Sequence, residues 1–275
     1  MTQNTETKTT SYAVETLRRL AASKLFIALA VAQGVRLIFE AVQAFLNNGA
    51  FARALSELKE IISGTESPAI AEIMAKLEAI LPVLDSVSLA INLVGLICPV
   101  LAVIGMLALY FGAKKEDDYM ASRGALVLRF MCFAQMAYWA AIIAEALFLI
   151  FSLSPSSLIN AAFVLALIIL ALPFIFFIEL ARVLDGVKYT FLGAQKCVKH
   201  SSFAIWASKI ISGLYLASVV LDIIHLSIEP VALVLNICLL FSLFCLSELL
   251  KKYRTRLGAE EKEAETFTEE SEKAN

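Results

Sequence analysis

Long apolar stretches, each bounded by charges, set the rhythm of this chain. No charged residue occurs between Asp85 and Lys114, between Glu145 and Glu179, or between Glu229 and Glu248. A helix needs about 20 mostly apolar residues to cross ~30 Å of hydrocarbon, and the second window holds most of two crossings. Helices that are apolar on every face over such lengths have no place in a soluble core. The pattern predicts an all-α, polytopic membrane helix bundle with spans at about 23–46, 87–111, 130–152, 157–180, 205–227 and 230–250. Six spans pair into three helical hairpins. Asn92, Asn160 and Asn236 each follow an aliphatic residue near the start of a hairpin's second helix, which resembles an internal repeat.

The flanks and loops read differently. Residues 1–19 are Thr-rich and polar, with a helix expected from about Tyr12. Between spans one and two, residues 47–86 carry two amphipathic patterns. Phe51, Leu55, Leu58 and Ile62 share one helical face, and so do Ile70, Ile73, Met74, Leu77, Ile80, Leu81 and Leu84. Ser67-Pro68 is suited to start the second of these helices. From 251 to 275 the chain turns basic and then strongly acidic, which predicts a disordered tail.

Composition strengthens the membrane reading. Hydrophobic residues make up 60% of the chain and charged ones 17%, against roughly 45–50% and ~25% in soluble domains. A net charge of −2 offers nothing to nucleic acid. The five cysteines are scattered, mostly within apolar stretches, and read as small buried hydrophobes. Arg18 and Arg19, the apolar run 25–31 and the small residues after it resemble a signal peptide. The apolar period continues through Val35, Leu37, Ile38 and Val42, so the segment is expected to stay as the first span.

Charge also orients the bundle. With the N-terminus inside, the inner segments hold 19 lysines and arginines, among them Lys114, Lys115, Arg182, Lys188, Lys251 and Lys252. The outer segments hold Arg53, Lys59 and Lys76. The positive-inside rule then places both termini in the cytoplasm of a cell carrying the protein in its cell membrane.

Ionisable groups within spans cost a few kcal/mol each at mid-bilayer, so they are the candidate chemistry. Gln33, Arg36, Glu40 and Gln43 form one stripe on span one. Gln135, Tyr138 and Glu145 share a face of span three, and Tyr215, Ser218, Asp222 and His225 a face of span five. At about 1.5 Å per residue, Glu40, Glu145, Asp222, Asn92, Asn160 and Asn236 fall ~5–10 Å below the outer surface. Arg36 and His225 join them in a polar layer. Two readings compete. In one, Arg36 pairs with Glu40 at i,i+4 and the layer fixes helix packing. In the other, Glu40, Glu145, Asp222 and His225 form a cation or proton site.

Close helix contacts are expected at the small pairs Ala30/Gly34, Ala140/Ala144 and Gly213/Ala217. Pro99 and Pro173 lie within spans, and Asp185-Gly186 reads as a turn. Motifs for zinc peptidases, serine hydrolases and phosphate-binding loops are missing, and two histidines cannot supply a His-rich metal site. The chain is therefore expected to be no enzyme, with no metal and no cofactor. The first expectation is a partner-binding or scaffold component in contact with the lipid bilayer, its partner another protein or a second copy. The alternative is a small transporter or channel working through the polar layer.

The orientation is checked by labelling. Cysteines introduced at Lys59 and Lys188 should differ in intact cells, only position 59 reacting with an impermeant reagent. Reaction of position 188 from outside would reverse the topology.

Overall fold

The computed structural model describes residues 2–46, 68–153, 160–193, 202–224 and 230–273. These residues are helical apart from short turns, with no strand among them. Seven helices follow in order: α1 Thr2–Ala21, α2 Lys24–Leu46, α3 Pro68–Lys115, α4 Asp118–Leu153, α5 Asn160–Phe191, α6 Ser202–Ile224 and α7 Pro230–Lys273. Five carry stretches long and apolar enough to cross a membrane, at Lys24–Gln43, Leu93–Lys115, Asp118–Ala144, Ser202–Leu221 and Pro230–Arg256. The expected span at 157–180 coincides with the first two-thirds of α5. The protein is a helical membrane bundle of about six spans.

The spans form a ring. Each of α2 to α7 packs on its neighbour in sequence, and α7 closes on α2. Large apolar side chains face outward all round it, among them Val31, Ile38, Ile104, Trp206, Ile224 and Phe244. Water would not tolerate such a surface, whereas hydrocarbon does. α1 lies at the end where α3 stops and α4 begins, against α2, α3, α5 and α7. This is the basic end, carrying Lys114, Lys115, Arg182, Lys188, Lys251 and Lys252.

Four boundaries differ from the sequence reading. α1 is helical from Thr2, ahead of the expected start near Tyr12, and its second half packs Val14, Leu17, Leu20 and Ala21 into the main core. Pro68 is the first residue of α3, as expected, but that helix runs unbroken for 48 residues into the second span. Pro82 removes one backbone hydrogen bond without ending it. The first amphipathic segment, 50–62, lies outside the described residues. Asp185-Gly186 is not a turn: α5 continues to Phe191, and Asp185 accepts a 2.7 Å bond from Arg129 of α4. Finally, α7 stays helical to Lys273, where a disordered tail was expected. Its Glu, Lys and Ala residues are strong helix formers, which extends an already nucleated helix.

The corners have local causes. Ser23 caps α2, its Oγ accepting the Phe26 N–H at 3.3 Å. Between α3 and α4, Glu116 takes a left-handed φ of 56°, and the Asp117 N–H bonds back to the Gly112 carbonyl at 2.9 Å. That closes α3 in a Schellman-type turn. Asp117 then caps α4 by accepting the Met120 N–H at 2.9 Å.

This turn holds α3 and α4 at backbone contact. A Cβ on Gly105 would sit 2.7 Å from Leu128 Cγ, and one on Gly112 or Gly124 would overlap the facing backbone at Ala121 or Leu109. Ala121 and Ala125 are fully buried in the same seam. The small pairs singled out in the sequence do not serve this purpose: Gly34 and Gly213 have open space beside them, and Ala140, Ala144 and Ala217 are exposed.

Substitutions should separate the two sets. Gly112→Ala and Gly124→Ala force the α3–α4 backbones apart and should each cost about 1–3 kcal/mol. Gly34→Ala and Gly213→Ala should be neutral, or stabilising by up to about 1 kcal/mol. Thermal melting in detergent reads both. Equal effects from the two pairs would show that the α3–α4 contact is not close.

Candidate functional site

Side chains of the ring line a partly open cavity of about 420 Å³. Helix α2 lines it with Phe26, Leu29, Gln33, Arg36, Glu40 and Gln43. These steps of three and four keep one stripe on one face. All four polar residues that the sequence places on a single stripe thus point to the cavity. From α4 come Gln135, Tyr138 and Trp139; from α6, Tyr215; from α7, Asn236 and Ser242.

The lining divides into two zones. Polar side chains gather in the half away from the basic end. Toward the basic end the walls are apolar, formed by residues such as Leu29, Met106, Leu109, Val187, Leu246 and Leu249. Leu17, Leu20 and Ala21 of α1 stop the cavity there. Arg18 holds α1 in place: its Nε and Nη2 donate to Asp118 at 2.9–3.1 Å, and Nη1 lies 3.7 Å from Glu116. A two-pronged guanidinium–carboxylate contact fixes orientation as well as distance.

Two polar contacts organise the opposite zone. Gln33 Nε2 donates to Ser242 Oγ at 2.8 Å, both side chains buried. This bond spans α2 and α7, the first and last helices of the ring. One turn further along α2, Arg36 Nε donates to Glu40 Oε1 at 2.5 Å. Both members are largely buried, with side chains 14% and 17% exposed. Among the described residues the carboxylate is only half satisfied: Glu40 Oε2 is closed off from solvent and has no hydrogen-bond partner there. The rings of Tyr138 and Tyr215 lie within electrostatic reach of the pair. Pro99 leaves the Gly95 carbonyl without its helical donor, and the Tyr138 ring packs against Gly95.

Of the expected polar layer, Arg36, Glu40 and Asn236 all line the cavity. Asn92, Glu145, Asn160 and Asp222 sit on α3, α4, α5 and α6, but their side chains fall outside the described residues, as does His225 entirely. Ser218 is exposed on α6. Cys98, Cys132 and Cys245 are buried, and Cys197 is outside the described residues. Among the described residues no three His, Cys, Asp or Glu side chains converge as metal ligands.

Sequence reasoning did not single out Trp139, Ser242 or the α1 plug. Ser242 carried a weak signal, being a polar residue within a span. Compared with known proteins, the chain matches no family model, no curated protein and no solved structure.

The Arg36–Glu40 pair sets a stability test. Glu40→Gln strands a guanidinium in low dielectric and should cost about 3–5 kcal/mol. Replacing both residues, Arg36→Met with Glu40→Gln, should recover most of that loss, because no buried charge remains. Denaturation in mixed micelles measures each. A double variant no more stable than the single one would mean that the pair is not an isolated unit.

Proposed function

We propose that the protein is a non-enzymatic binding or carrier protein of the cell membrane, which takes a small molecule into its helix ring. Both termini lie on the cytoplasmic side in this reading, on the strength of the lysine and arginine bias. The absence of hydrolase and phosphate-loop motifs from the sequence supports binding without bond chemistry.

The observation that carries the proposal is the half-satisfied Glu40 carboxylate beside a cavity of about 420 Å³. A purely structural layer would have each of its acids fully paired. An enclosed carboxylate oxygen with no donor costs about 1–3 kcal/mol or more, and that cost is relieved when a ligand supplies the donor. Cavities of about 300–1,000 Å³ with apolar walls and a few convergent polar groups are the usual form of small-molecule sites. Membrane bundles place such sites among facing helices.

Native mass spectrometry of the protein released from native-membrane nanodiscs tests this. The wild type should carry one small molecule per chain. Met106→Trp, which fills the apolar zone, should remain folded by thermal melting and lose it. Wild-type protein flying at its bare mass, or a Met106→Trp variant that keeps the adduct, would overturn the proposal.

A further inference from the structure

The two-zone lining says what kind of molecule fits. We infer that the cavity binds an amphiphile with one acyl chain and a zwitterionic head, its anionic group at Arg36 and its cationic group at Glu40. This rests on the binding reading above and names the ligand class.

The dimensions come from α7. Asn236 and Ser242 mark the polar zone, six residues or about 9 Å of helix. From Ser242 to Tyr253 the α7 lining is apolar apart from the Tyr253 hydroxyl, over eleven residues or about 16 Å. That is half of a ~30 Å hydrocarbon core, the depth one leaflet's acyl chain occupies. A small hydrophilic solute or a bare cation would leave this apolar length with nothing to contact. A long chain fills it and gains about 0.8 kcal/mol per CH₂ only when it leaves water. The head therefore has to supply the preference for the site over the surrounding bilayer.

Charge decides the head. Arg36 and Glu40 together are neutral, so a net-charged head such as a carboxylate would leave one uncompensated charge in low dielectric. A zwitterion keeps the balance. Arg36 donates to Glu40 through Nε, and a guanidinium carries further N–H donors on its two Nη groups that suit an anionic group. Among the described residues Glu40 Oε2 has no donor. Rotation about the last bond of a glutamate is soft, which lets the carboxylate present that oxygen to an ammonium. Tyr138, Trp139, Tyr215 and Asn236 add polar contacts around the head.

The entry side is consistent with a molecule arriving from the membrane. Among the described residues, α5 and α6 form the sparsest seam of the ring. Phe176, Phe177, Ile211 and Tyr215, which line the cavity, come from those two helices.

Tryptophan fluorescence tests the inference. Trp206 is lipid-facing at 68% exposure, so Trp206→Phe leaves Trp139, at the head zone, as the reporter. The probes, titrated into nanodiscs, are lysophosphatidylethanolamine and the corresponding fatty alcohol, each brominated near its polar end. Saturable quenching by the zwitterionic probe is expected, and the alcohol should bind at least about tenfold more weakly, since hydrogen bonds to charged groups are at stake. Adding Arg36→Met with Glu40→Gln should abolish that preference while thermal melting confirms a folded protein. Equal binding of the two probes, a preference that survives the double substitution, or no saturable quenching would overturn the inference. The mass adduct of the preceding experiment is read independently. An adduct without zwitterion-selective quenching therefore sinks the ligand class alone, and loss of both sinks the binding reading too.

Discussion

Hydrocarbon offers a polar group no partner, and the whole bundle is arranged around that constraint. Backbone groups are satisfied within helices. Side chains that still need partners turn inward, where Gln33 meets Ser242 and Arg36 meets Glu40. The first of these contacts closes the ring, joining α2 to α7 across 209 positions of sequence. The second is an ion pair that cancels the two charges facing the polar half of the cavity among the described residues. Outward faces carry isoleucine, valine and phenylalanine, whose burial in lipid asks for no specificity. Uniqueness of the fold has to come from elsewhere.

It comes largely from the α3–α4 seam. Lipid tails are as apolar as leucine, so helix association draws on close packing and polar contacts. Gly105, Gly112 and Gly124 bring two backbones together, and the Schellman turn at Glu116 sets their register. The same turn supplies Asp118, which grips Arg18 and so seats α1 under the ring. One corner thus determines both the tightest helix pair and the plug at the basic end. The Arg129–Asp185 bond extends this side from α4 to α5, and α5 meets α6 through buried Phe176, Leu180, Ala204, Ala207 and Ile211.

Much of this was legible in the sequence, and the limits have physical reasons. Span positions follow from apolar length and charge gaps, which the bilayer itself enforces, and the α2 stripe follows from helical periodicity. Its four polar residues face the cavity because nowhere else in the span accepts them. The close contacts were not legible, since small residues are frequent in every span and only tertiary placement tells Gly112 from Gly213. Helix ends were misplaced for a related reason. Asp185-Gly186 has turn chemistry, but Arg129 binds the carboxylate and buried Gly186 stays helical. The α7 extension was mistaken for disorder because acidity and helix propensity coincide in Glu-rich segments. The α1 plug was missed because an amphipathic terminus with threonines reads as a tail until something is seen beneath it.

The ion pair also bears on the choice between an ion pathway and a binding site. A conducting or cation-coupled site needs surplus negative charge exposed to water, so that the ion gains at least what it loses in hydration. Arg36 opposes that at Glu40: it cancels the charge, and the apolar zone beyond it would be a barrier to any hydrated ion. For a zwitterionic amphiphile the same features favour binding. The neutral pair matches a neutral head, the unmet acceptor has a donor to gain, and the apolar zone becomes contact surface. The α1 plug then fits as a floor beneath the end of the chain, since Leu17 and Leu20 close the cavity with apolar atoms. A water-filled path would instead be expected to end in polar or charged side chains, such as the Arg18–Asp118 pair that α1 turns away from the cavity and uses to hold itself in place.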